Sequence, residues 1–137
     1  MSTKNIKMNI LMFSVDYWPN SGGIAAHVYY LSRALAAKGV NITVIGGYLT
    51  PITKGRDKQT DLPNSKNIRE ITIHRWGPKG FRGLNFMLRA WVILNRLPKS
   101  WDIIHYHNFI PDGLLLGTTN WPYARAKVMT NHSHAYL

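Results

Sequence analysis

Apolar positions along the chain follow two rhythms. Met8 to Val15 (MNILMFSV) is a short apolar run closed by Asp16, Tyr17, Trp18 and Pro19. Such a run predicts a strand buried in the middle of a sheet. From Ile24 to Lys38 the rhythm changes, with Ile24, Val28, Leu31 and Leu35 at helical spacing and Gly39 placed for a left-handed cap. Asn41 to Gly46 (NITVIG) returns to a strand after one tight turn. The chain up to Gly46 thus predicts a β-α-β unit whose strands are parallel and whose crossover is right-handed.

Leu49 to Asn67 is rich in Thr, Pro, Lys and Asp without a period, and predicts an exposed loop. Ile68 to Trp76 alternates around Ile71 and Ile73, as a strand near the sheet edge does. Lys79 to Pro98 reads largely as helix, with Leu84, Leu88, Trp91 and Leu94 or Ile93 as its sheet-facing side and Arg82, Arg89 and Arg96 on another. Trp101 to His107 (WDIIHYH) and Ala126 to Thr130 (AKVMT) predict two further buried strands, separated by a short helix from Asp112 to about Asn120. Strands alternating with helices predict an α/β fold, an open and mainly parallel sheet with helices on both faces. In such sheets ligands sit beyond the carboxyl ends of the strands. That rule directs attention to residues 16–23, 107–113 and 131–137.

With 137 residues, 45% of them hydrophobic, the chain suits a single domain. It has no cysteine, which excludes disulfides, thiolate nucleophiles and sulfur-ligated zinc. No run approaches the ~20 apolar residues of a membrane span, and the start lacks a signal-peptide pattern, so a cytoplasmic protein is expected. Seventeen Lys and Arg against six Asp and Glu give a formal charge of +11, attractive to phosphates, anionic lipid or nucleic acid. No nucleic-acid motif accompanies it, so no specific nucleic-acid partner is expected. The Arg row and the aromatics Phe81, Phe86 and Trp91 would also suit an anionic membrane surface, giving peripheral attachment at the inner membrane face as the alternative. Glu70 is the single glutamate, and Asp16, Asp102 and Asp112 are the carboxylates near sequence of interest.

Gly22 and Gly23 open the first helix, where free N–H groups and the helix dipole favour an anion. The loop is neither G-x-G-x-x-G nor G-x-x-x-x-G-K-[ST], and a plain turn reads equally well from this dipeptide. His105 and His107 are two apart on a strand and share one face of the sheet. His132 and His134 follow the next strand, and the four histidines raise the question of a metal. No carboxylate sits beside them in sequence, and no metal is expected. For His107 the local pattern leaves a ligand-facing and a structural role both open.

FSVDYWPNSGGIAAHVYYLSRALAAKGVNITVI, then WDIIHYHNFIPDG, then KVMTNHSHAYL, together resemble the amino-terminal domain of family 4 glycosyltransferases, retaining enzymes of the GT-B fold. The ordered set carries the resemblance: Pro before Gly-Gly, a helix ending Ala-Ala-Lys-Gly, a β-branched strand, Asp-Ile-Ile-His-x-His, and Val-x-Thr-x-His. Val40 departs from it, since the family usually has a histidine there. The resemblance implies that this chain, as the Rossmann-like half of a GT-B enzyme, works with a nucleotide-sugar donor and an acceptor. It further implies that the donor-binding domain with its paired carboxylates and basic diphosphate clamp is absent here, so residues 1–137 form one incomplete domain, expected to be inactive alone. By the same resemblance Gly22 and Gly23 lie beside the donor diphosphate, His107 faces the transferred sugar and acceptor, and His132 lines the cleft wall. Asp16 is expected to face the cleft from the first strand's end. The alternative is a binding module or subunit that pairs with a separate donor-binding chain or with an anionic membrane.

Overall fold

The computed structural model describes residues 7–20, 22–49, 66–107 and 122–132. Five strands, β1 (Asn9–Ser14), β2 (Asn41–Tyr48), β3 (Ile68–His74), β4 (Ser100–Tyr106) and β5 (Tyr123–Met129), form one sheet in the order β3-β2-β1-β4-β5. All four pairings are parallel. Helix α1 (Gly23–Ala37) links β1 to β2, and α2 (Arg82–Leu94), entered through a short 3-10 turn at Lys79–Phe81, links β3 to β4. The order is that of a Rossmann-like open sheet, and its direction of winding reverses between β1 and β4. Of the expected loop from Leu49 to Asn67, residues 50–65 lie outside the described residues, as does the expected short helix from Asp112 to about Asn120.

Period two explains how the sheet buries both faces. Along β1, Ile10 and Met12 join Val28, Tyr29 and Ala36 of α1, while Leu11 and Phe13 join Phe86, Met87, Ala90 and Leu94 of α2. The register carries this alternation across the sheet, with Leu11 beside Ile104 and Phe13 beside Tyr106. Ile104 and Tyr106 therefore belong to the α2 side, and Ile103, His105 and His107 to the α1 side. Helix α1 ends as its sequence predicts. Gly39 has φ 87°, its N–H reaches Ala36 O and that of Val40 reaches Leu35 O, the paired bonds of a Schellman cap.

Two expectations change. The sheet-facing side of α2 is Phe86, Met87, Ala90 and Leu94, whereas Leu84, Leu88 and Trp91 are exposed. Helix α2 carries apolar residues on two sides, and the side with Ala90 and the fully buried Phe86 fits against the sheet. The segment Ala126 to Thr130, expected as a buried strand, belongs to an outer strand that begins at Tyr123 and is mostly exposed. Among the described residues β5 pairs only with β4.

A polar tie joins α1, β3 and the loop after β1. Arg33 donates to both Glu70 carboxylate oxygens at 3.0 and 3.1 Å, and its guanidinium lies 3.4 Å from the centre of the Tyr29 ring. The buried Tyr17 hydroxyl donates to the same carboxylate. Burial and the neighbouring Glu70 charge push that hydroxyl above its ordinary range, so it stays a donor. The single glutamate thus ties three elements at the edge of the core.

Candidate functional site

The loop after β1 is stapled in place before α1 begins. Tyr17 N–H donates to Gly47 O at 2.7 Å, and Asn20 Oδ1 accepts from Leu49 N–H at 3.0 Å. Asn20 Nδ2 in turn donates to the Asp16 carboxylate, and the Ser14 hydroxyl to the Asp16 carbonyl. Asp16 leans on the glycine that starts the helix, since a Cβ on Gly22 would lie 3.0 Å from Asp16 Oδ2. A Cβ on Gly23 would meet nothing within 4 Å. The two glycines thus differ: packing against the loop explains Gly22, and nothing in the fold demands Gly23.

The start of α1 has no side-chain cap and no acidic residue in its first turn. Its leading amides have no partner further back in the helix, and the Asp16 carboxylate packed against Gly22 brings negative charge to this end. This helix end lies beside the point where the sheet order reverses.

Beyond the ends of β4 and β5, histidines gather on the α1 side. The His107 N–H donates to Phe13 O at 3.0 Å, fixing the residue one place past β4. Its ring is fully buried, and neither ring nitrogen has a hydrogen-bond partner among the described residues. The His105 ring lies 4.0 Å from it, centre to centre, with Nε2 2.7 Å from the Thr130 hydroxyl. His27, from the second turn of α1, brings its ring to 5.7 Å from that of His107 and 5.1 Å from that of His132, and the last two rings are 5.9 Å apart. Burial, with His105, His27 and His132 nearby, lowers the His107 pKa to about 3. His105 and His132 are also lowered, chiefly by burial. These three rings are therefore neutral at pH 7, able to accept as well as donate hydrogen bonds.

Of the residues singled out in the sequence, His107 and His132 come together in this ring cluster, Gly22 and Gly23 begin the helix that carries His27 to it, and Asp16 packs on that helix start. His134 and Asp112 lie outside the described residues. His27 escaped the sequence reading, although the spacing Ile24, His27, Val28, Leu31 puts it at the border of the sheet-facing stripe of α1, where its side chain stays exposed. A polar residue at that border, one turn after Gly-Gly, is the signal that finds it.

A parallel α/β sheet with this strand order, and a histidine cluster at the point where the order reverses, defines a domain of the Rossmann-like class, in which ligands bind at that point. Residues 21–137 match the model of Glycosyltransferase Family 4. The chain belongs to that family, so its fold serves glycosyltransferase chemistry with a sugar donor and an acceptor. No curated protein matches the chain significantly.

Proposed function

We propose that this domain is the acceptor-side half of a retaining transferase that moves a sugar from a nucleotide-sugar donor. The carrying observation is that α1, whose uncapped start holds Gly22 and Gly23, brings His27 to 5.7 Å from the buried ring of His107 at the end of β4. In this reading the donor diphosphate rests against the amides around Gly22 and Gly23, and His107 faces the transferred sugar and the acceptor hydroxyl. Asp16 holds the glycine loop, and His132 lines the wall. As the bond from the sugar's anomeric carbon to the diphosphate oxygen breaks, the acceptor oxygen forms its bond on the same face. The acceptor proton passes to the departing diphosphate, whose charge the helix amides stabilise. A second domain, in the same chain or a separate one, supplies the rest of the donor site, and the 137 residues alone do not turn over.

Gly23 gives the cleanest test. A Cβ there meets nothing within 4 Å, so in this reading the added bulk of valine is felt by the bound diphosphate rather than by the fold. In the assembled transferase Gly23→Val is expected to weaken donor use by about tenfold or more with the thermal midpoint nearly unchanged. Donor kinetics equal to those of the parent protein would remove the diphosphate from this helix end.

A second reading concerns where the domain works. Phe81, Leu84, Leu88, Trp91 and Val92 form an exposed apolar stripe along α2, with Phe81 63% and Leu88 59% accessible. Arg82, Arg89 and Arg96 run beside it at heptad spacing. Apolar residues flanked by a basic row match the boundary of an anionic lipid surface. No described helix is long and apolar enough to cross a membrane, so this contact would be peripheral. Co-sedimentation with phosphatidylglycerol vesicles at low salt should be strong, and Leu88→Glu should weaken it by about tenfold. Equal recovery with neutral and anionic vesicles would discard the reading.

A further inference from the structure

We propose that His27, His107 and His132 form a binding site for one divalent transition-metal ion. Each offers a ring nitrogen, and these atoms all lie within 4.8 Å of one another. Rings around a single zinc ion, with Zn–N near 2.0–2.1 Å, have nitrogens roughly 3.4 Å and centres roughly 5 Å apart. The observed centres, 5.1, 5.7 and 5.9 Å apart, are close to that arrangement. Closing the remaining gap needs at most about 1.4 Å of side-chain movement, shared between the exposed His27 and the half-buried His132.

Orphaned nitrogens are the second observation. Both ring nitrogens of His107 and Nε2 of His132 are buried without a hydrogen-bond partner among the described residues. A buried polar atom left unpaired destabilises the fold, and a metal would satisfy one nitrogen of His107 and one of His132.

The donor set selects the ion. Three imidazoles suit zinc, cobalt, nickel or copper, whereas magnesium and calcium require oxygen ligands. Sequence argued against a metal because no carboxylate accompanied the histidines, but a three-imidazole site needs none. Its fourth position would open on the crevice, toward water or an anionic oxygen. His105, bonded to Thr130 and packed on the His107 ring, would hold that ring in orientation from behind. The proposal is independent of the sugar-transfer reading. Because His107 would serve both, metal-loaded and sugar-engaged forms exclude each other.

The test is calorimetric titration of the dialysed, sugar-free 137-residue chain with zinc, alongside the visible spectrum after cobalt addition. The expected result is one ion per chain and the absorption of a low-coordinate cobalt centre with nitrogen ligands. His27→Ala and His132→Ala, each checked for an unchanged circular dichroism spectrum, should weaken binding at least about 100-fold. His74→Ala, on the far edge strand β3, should bind like the parent protein. Absence of stoichiometric uptake at micromolar zinc, or undiminished affinity in His27→Ala, overturns the site. Neither result bears on Gly23, so failure here and failure of the donor reading are separately visible.

Discussion

Gly46→Val is expected to destabilise the domain by about 3 kcal/mol or more, enough to shift its denaturant midpoint far below that of the parent protein. The reason is contact rather than conformational preference. Gly46 lies within β2, hydrogen-bonded between β1 and β3 in register with Ser14 and Thr72. A Cβ there would stand 2.4 to 2.5 Å from Tyr17 Cδ1, Cγ and Cβ. The strand cannot withdraw, because it is paired on both edges. Tyr17 cannot swing out easily either, since its N–H is held by Gly47 O and its hydroxyl by Glu70. Accommodating valine means expelling that ring, breaking the tie to Arg33 and Glu70, and releasing the loop that precedes α1. Urea unfolding followed by circular dichroism measures the effect. A loss below about 0.5 kcal/mol would show that Tyr17 is not seated on this glycine.

His107→Leu should separate function from stability. Transfer by the assembled enzyme is expected to fall by about 10²- to 10⁴-fold, the usual range for losing a positioned polar group at the reacting centre. The fold, in contrast, should be unharmed or firmer. The native ring buries two nitrogens without partners among the described residues, and an unpaired buried polar group costs about 1–3 kcal/mol. Leucine fills similar space with no polar atom to satisfy. A thermal melt and initial rates on the same preparation check both halves. Parallel loss of stability and activity would mean that the imidazole is structural, and full activity would remove it from the reacting centre.

Much of the architecture was legible in the sequence, for identifiable reasons. β1, β2 and β4 carry apolar runs long enough to be buried on both faces, and Gly39 marks the end of α1 because only a residue tolerant of positive φ closes that cap. Helix α2 misled the periodicity because Leu84, Leu88 and Trp91 form as good a stripe as Phe86, Met87, Ala90 and Leu94. Spacing alone cannot say which of two apolar stripes meets the sheet. β5 misled it differently, since Val128 and Met129 look like core residues but belong to an outer strand. At the site, period two put His105 and His107 on one face, and the helical stripe had His27 at its border. That these three and His132 converge follows from the strand order, which local pattern does not encode.

The central place of β1 also governs how the chain can acquire its structure. Its first partner, β2, follows within one helix, but its second, β4, pairs Ile103 with Ile10, 93 positions along the chain. During synthesis β1, α1 and β2 can assemble while one edge of β1 still has no neighbour. That edge belongs to the most apolar strand of the sheet, so the nascent chain passes through a stage open to wrong pairing until β4 arrives. Closure over so long a separation is slow compared with forming the first unit. The strand at the centre of the sheet therefore depends for its second edge on a partner that is synthesised much later.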